Sequence, residues 1–258
     1  MDIVRALGAA SSAVLLDPEV GLAPCLATDA LPGQTGLLVA LDTGSTGDPA
    51  RLETALVPNW NAARIADVGA AGLKLLVYYH PDAPNAGAVE ALVTSVGEEC
   101  ARRELPFFLE PLSFNPDAPG APLPPDERRR VVIASARRLT PLGVDILKAE
   151  FPLPPGEGED PVAWRRACEA LSAASAVPWV LLSAGVSYEV FLRQATVACA
   201  AGASGVMAGR AVWKEAVTLD PSERTAWLNR VARERMTRLR ALVDALARPF
   251  TASGERTA

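Results

Sequence analysis

An alternation of element types constrains this fold more than any other feature of the chain. Seven short apolar runs rich in β-branched residues recur along it: Ser12–Asp17, Gly36–Asp42, Gly72–Tyr79, Leu105–Leu112, Gly143–Glu150, Pro178–Ala184 and Ser204–Gly209. Longer stretches of helical composition lie between them, at Ala62–Ala70, Ala86–Glu104, Asp126–Thr140, Pro161–Ala176 and Tyr188–Ala201. A strand covered on both faces reads as a near-continuous apolar run, and repeated β-then-α order requires a parallel sheet wrapped by helices. The 258 residues suffice for one large barrel or two smaller domains. The loops carrying Pro116, Pro119, Pro122, Pro124 and Pro125, and then Pro152, Pro154 and Pro155, follow strand ends and precede helices. That is where barrel enzymes place active-site loops, so the expectation is one α/β domain over residues 1–258, of (β/α)8 TIM-barrel type. A closed barrel needs an eighth strand, and ahead of Ser12 there is only a helix-like stretch, Asp2–Ala10. The expected barrel therefore lacks its first strand. Residues 222–248, rich in Arg and Leu, read as a closing helical segment whose cations form a solvated face.

A net charge of −5 argues against a nucleic-acid or anionic-membrane surface while allowing a local pocket for a small anion. The start of the chain lacks the basic and apolar regions of a signal peptide, and no apolar stretch has spanning length, so a cytoplasmic protein is expected. Cys25, Cys100, Cys168 and Cys199 are scattered, with no CxxC pair and no histidine nearby; they read as reduced, buried thiols that suggest neither a zinc cage nor a disulfide framework, and no cofactor is expected. An assembly of identical subunits is left open.

The cations are unevenly chosen. There are 22 arginines and only three lysines, Lys74, Lys148 and Lys214. A chain that uses arginine wherever any cation will serve has reason to keep lysine where an amine is needed. In Asp145–Pro152, strand alternation puts Ile146, Lys148 and Glu150 on one face and Leu147, Ala149 and Phe151 on the other. A lysine in such a strand is either half of a buried ion pair or a neutral amine, the nucleophile that converts a ketone to a Schiff base. Lys74 lies in a second apolar strand with Leu76 and Tyr78 on its face; its own alternatives are a cation that keeps a neighbouring amine neutral, or a buried pair with Glu110. Asp17, Asp42 and Glu110 end their strands as Leu-Leu-Asp-Pro, Ala-Leu-Asp-Thr and Phe-Leu-Glu-Pro, at the barrel face where catalysis occurs, although each alone could equally cap a helix. His80, the only histidine, follows a strand end and reads more readily as incidental than as a rim acid or base.

After the sixth run comes Leu182-Ser183-Ala184-Gly185-Val186-Ser187, and after the seventh Met207-Ala208-Gly209-Arg210-Ala211-Val212. Small residues let backbone N–H groups approach an anion, a following helix adds its dipole, and Arg210 supplies a charged fork; on the last two strands of a barrel this pattern suggests a phosphate site.

At Gly72–Pro81, Asp145–Pro152 and Pro178–Trp213, the last containing Pro-Trp-Val-Leu-Leu-Ser-Ala-Gly-Val and Ala-Gly-Arg-Ala-Val-Trp, the chain resembles the class I tagatose-1,6-bisphosphate aldolase family. Within that family it is especially similar to the 6-deoxy-6-sulfofructose-1-phosphate aldolases. The resemblance implies metal-free Schiff-base chemistry on a phosphorylated ketose. Lys148 matches the Schiff-base lysine, Lys74 and Glu110 line the site beside it, and Ser183, Ala184, Gly185, Gly209 and Arg210 match the loops that hold the C1 phosphate. Asp17 is expected to join the catalytic group, with Asp42, Tyr78 and Glu150 as substrate contacts. Family members carry an additional first strand ending in an Asp-Gln-Arg-like motif, which has no counterpart in this sequence. An inactive phosphosugar-binding or regulatory protein, and an aldolase of deoxyribose-phosphate type, are the competing expectations.

Overall fold

The computed structural model describes residues 1–44, 53–118, 120–154 and 160–250; Pro119 and Pro155 of the proline-rich loops lie outside that set. Its sheet has seven strands in sequence order, β1 (Ala13–Leu16), β2 (Gly36–Ala40), β3 (Gly72–Tyr78), β4 (Phe107–Leu112), β5 (Ile146–Ala149), β6 (Trp179–Leu182) and β7 (Gly205–Met207). Every neighbouring pair is parallel, from β1 with β2 to β6 with β7. The sheet curls into a half-barrel, and no ladder joins β7 to β1 among the described residues. Each predicted run contains one observed strand, and the seven-strand expectation holds among the described residues.

Alternation sorts the side chains as the sequence pattern requires. Leu73, Leu75, Val77, Phe107, Leu109, Leu147 and Leu181 point outward under the helices and are at most 1% exposed. Burying each such side chain contributes roughly 1.5–3 kcal/mol. They fall into two apolar clusters, one under the helices flanking β2 to β4 and one under those flanking β5 to β7. The inward face carries Lys74, Leu76, Glu110, Lys148 and Glu150, which keep a little more exposure because the half-barrel is open on that side.

Three of the covering helices start on side-chain caps. The Asn61 side chain accepts from Arg64 N at α3 (Ala62–Asp67), Asp160 accepts from Val162 N at α6 (Pro161–Ala174), and Ser187 accepts from Val190 N at α7 (Tyr188–Ala200). Helix α4 (Ala86–Arg102) lies so close to the turn entering β5 that a Cβ at Gly97 would sit 2.8 Å from the Leu142 carbonyl oxygen. Helix α5 (Pro125–Leu139) carries the arginines that reach the strand ends. Two stretches of helical structure have no counterpart among the helices read from the sequence. A wide helical turn at Pro18–Leu22 leads into α2 (Ala23–Ala27), and after β7 come α8 (Arg210–Trp213) and the tight turn Lys214–Thr218.

The closing segment forms α9 (Pro221–Trp227), a turn at Leu228–Ala232 and α10 (Arg233–Leu246). It packs on α7 and on α1 (Asp2–Leu7), where Arg224 reaches Asp2 at 3.5 Å. One of its cations departs from the solvated face expected of them. Arg235 lies 4.9 Å over the Tyr188 ring and 5.2 Å over the Trp227 ring, and it donates to the Val212 carbonyl and to Glu215. No described helix is long and apolar enough to cross a membrane.

Candidate active site

Register decides which charged groups meet. Leu76 of β3 pairs with Glu110 of β4, so Lys74, two residues earlier on the same face, reaches Glu110 diagonally; Asp42 stands just past the end of β2. The result is a buried chain of alternating charge. Lys74 Nζ lies 3.1 Å from Asp42 Oδ2 and 2.8 Å from Glu110 Oε2, and Lys148 Nζ lies 2.8 Å from Glu110 Oε1. Asp42, 3% exposed, also accepts from Leu76 N at 2.9 Å and Gly44 N at 3.0 Å, which fixes its carboxylate.

The two lysines are not equivalent. Lys74 is held between two carboxylates and its side chain is 6% exposed, whereas Lys148 has one carboxylate, shared, and is 12% exposed. Burial lowers the Lys148 pKa; attraction to Glu110 opposes this, and repulsion from Lys74 assists it. For Glu110 the order reverses: burial alone would raise its pKa, but the ammonium groups of Lys148 and Lys74 overcome that and hold it below the usual carboxylate value. Lys148, the more open of the two and limited to one shared carboxylate, therefore gives up its proton more readily than an ordinary lysine.

Glu150 shares a face with Lys148 as predicted but does not pair with it. Its carboxylate accepts from Ser113 N at 2.7 Å and from Arg128 Nη2 at 2.9 Å, tying the end of β4 and the first turn of α5 to β5. Arg128 gave no signal in the sequence. Asp17 is not brought to the cluster either: it is exposed, and its Oδ1 accepts from Val20 N at 2.6 Å and Gly21 N at 3.4 Å, so it caps the turn that follows β1. Tyr78, half-buried, sits toward the top of β3 on the face of Lys74. His80 is 4% exposed and faces Glu127 at 3.2 Å, while its Nδ1 accepts from Asp82 N; Arg130 donates to both Asp82 and Glu127. The ligating atoms of His80, Asp82 and Glu127 lie within 4.8 Å of one another, but this guanidinium already neutralises the two carboxylates.

The strand-end loops after β6 and β7 converge. Ser183 Oγ accepts from Gly209 N at 3.2 Å, joining the two predicted phosphate segments. Ala184 and Gly185 both take left-handed backbone, with φ of 46° and 72°, which costs an alanine about 1–2 kcal/mol and is open to glycine. The exposed Arg210 guanidinium lies against Gly185, where an added Cβ would be 3.5 Å from Cζ. Only α7 offers a dipole here, since α8 is a single turn. Lys214, given no role from the sequence, donates to the carbonyls of Gly185 and Val186.

The model of the DeoC/LacD family aldolases matches residues 3–215. A tagatose 1,6-diphosphate aldolase of Streptococcus pyogenes is 35% identical, over 93% of this chain and 80% of its own length. One from Lactococcus lactis is 33% identical over the same shares. Among solved structures, an archaeal fructose 1,6-bisphosphate aldolase superposes with a TM-score of 0.64 at 20% identity, covering 93% of this chain and 82% of that one. The chain belongs to the DeoC/LacD family of aldolases.

Proposed function

We propose that this protein is a class I aldolase that cleaves a ketose 1-phosphate or 1,6-bisphosphate of tagatose type to dihydroxyacetone phosphate and an aldehyde. The observation that carries the reading is the Glu110 carboxylate, bonded at 2.8 Å to each of two buried amines, of which Lys148 is the less paired and the more open. Lys148 loses its proton more easily than an ordinary lysine and attacks C2 of the ketose; loss of water leaves an iminium. Glu110, ionised between two cations, takes the proton of the C4 hydroxyl as the C3–C4 bond breaks, and the bonding pair passes into the iminium to give an enamine. The aldehyde departs, the enamine is protonated at C3, and water releases dihydroxyacetone phosphate from Lys148. Lys74, fixed by Asp42, repels a proton on Lys148 and stabilises oxyanions formed beside it. Ser183, Ala184, Gly185, Gly209 and Arg210 hold the C1 phosphate at one end of the pocket. Tyr78 and Glu150 stand at the rim over the distal carbons, Glu150 acting through Arg128. The nitrogen serves as electron sink, so the cycle calls for no metal or organic cofactor, and a cytoplasmic location suits a phosphorylated metabolite.

The names of the relatives, tagatose 1,6-diphosphate aldolases, favour tagatose 1,6-bisphosphate as substrate. A retro-aldol assay on that compound, on fructose 1,6-bisphosphate and on 6-deoxy-6-sulfofructose 1-phosphate, with Lys148→Ala as control, tests this. Cleavage of at least one, lost in the control, is expected. Thermal stabilisation by all three without turnover would replace the reading with a phosphosugar-binding protein.

A further inference from the structure

Lys214 is the remaining lysine of a chain that otherwise prefers arginine, and the chemistry at Lys148 does not use it. Its Nζ donates to the Gly185 carbonyl at 3.1 Å and to the Val186 carbonyl at 3.4 Å. A compact ammonium with three rotatable donors can serve two successive carbonyls, a geometry that a planar guanidinium fork matches poorly. In a trans peptide the carbonyl and the following N–H point in opposite directions. Holding these two carbonyls on the Lys214 side therefore turns the N–H groups of Val186 and Ser187 the other way. Val186 N is used within the loop, donating to Ser183 O at 3.2 Å. Those of Ala184, Gly185 and Ser187 have no hydrogen-bond partner among the described residues.

The base from which Lys214 reaches is itself fixed. The Val212 carbonyl and the Glu215 carboxylate, on either side of it in sequence, both accept from Arg235, which is packed between the Tyr188 and Trp227 rings. Left-handed backbone at Ala184 and Gly185 needs such support, since an unheld loop would relax toward commoner conformations.

We propose that Lys214 is a positioning residue for the substrate phosphate: it holds the Ser183–Ser187 loop from behind, so that the free N–H groups and Arg210 face the anion together. This rests on the aldolase reading and adds to it a residue that touches no substrate. The test is a split between binding and turnover in Lys214→Met. The KM for the phosphorylated ketose and the competitive inhibition constant of inorganic phosphate should both rise about three- to tenfold, the range for losing one or two hydrogen bonds, with kcat changed less than about twofold. Borohydride trapping of unphosphorylated dihydroxyacetone on Lys148 should match the wild type, and Lys214→Arg, which keeps charge and donors, should recover part of the lost affinity. Unchanged KM and phosphate inhibition in Lys214→Met would overturn the proposal, as would an equal loss of trapping with unphosphorylated dihydroxyacetone, which marks general damage. Wild-type protein that neither cleaves a phosphorylated ketose nor is trapped on Lys148 would instead mean that the aldolase reading itself had failed.

Discussion

Replacing Asp42 by Asn tests the buried charge chain without changing its shape. Both Asp42 oxygens are committed: Oδ1 accepts from Gly44 N at 3.0 Å and from Lys74 Nζ at 3.3 Å, and Oδ2 from Leu76 N at 2.9 Å and from Lys74 Nζ at 3.1 Å. An amide places an NH2 group on one of these sites, facing donors only, and removes the charge that balances Lys74 at 5% exposure. Removing one partner of a buried ion pair costs about 3–5 kcal/mol. At about 2–4 °C per kcal/mol for a chain of this size, the melting temperature should fall on the order of 10 °C. Urea unfolding at pH 7 reads the same loss as a lower midpoint with unchanged slope. Adding Lys74→Met to Asp42→Asn removes the cation left with only its share of Glu110, so the double variant should recover more than about 1 kcal/mol relative to the sum of the singles. A drop below about 1 kcal/mol in Asp42→Asn, the scale of an exposed pair, would refute the reasoning.

Other outcomes follow from the same geometry. Glu110→Gln should lower kcat about 10²- to 10⁴-fold while Lys148 is still trapped by dihydroxyacetone phosphate and borohydride, because attack on C2 does not need the C4 base. Arg210→Met should raise KM for the phosphorylated ketose roughly 10- to 100-fold and leave trapping of unphosphorylated dihydroxyacetone intact. Lys148 is displaced downward, so the kcat/KM profile should rise with pH on an acidic limb set below the usual lysine range; Lys74→Met, which removes the repelling cation and leaves both carboxylates, should move that limb to higher pH. Glu110 is also displaced downward, so its contribution to stability is present above the unfolded-state carboxylate value and lost as pH falls through its lower folded value; urea midpoints taken from pH 7 into the acid range should show it.

The strands were legible because period-two alternation and β-branched runs leave little else for such segments to form. Alternation also assigned faces correctly, putting Lys148 and Glu150 inward with Leu147 and Ala149 outward. Lys74 forms one of the pairs expected of it, with Glu110, but the other partnerships were not legible, because they depend on how segments more than 20 residues apart in the chain come together: Lys148 also meets Glu110 from β4, and Glu150 goes to Arg128 of α5. The strand-end carboxylates show the same limit. Asp42 and Glu110 turn inward, while Asp17, read from a similar Leu-Leu-Asp-Pro ending, caps the turn begun by Pro18. That turn and α2 escaped notice because Pro18, Gly21 and Pro24 suggest a loop, although a proline in the first turn of a helix loses no hydrogen bond. Lysine scarcity marked Lys214, but only the structure shows the two carbonyls it holds.

The central claim is the division of labour between two buried amines on one carboxylate, and borohydride reduction in the presence of dihydroxyacetone phosphate tests it most directly. Peptide mass mapping should locate a single reduced adduct on Lys148, absent from Lys148→Ala. An adduct on Lys74, or none on either lysine in folded protein, would contradict the account.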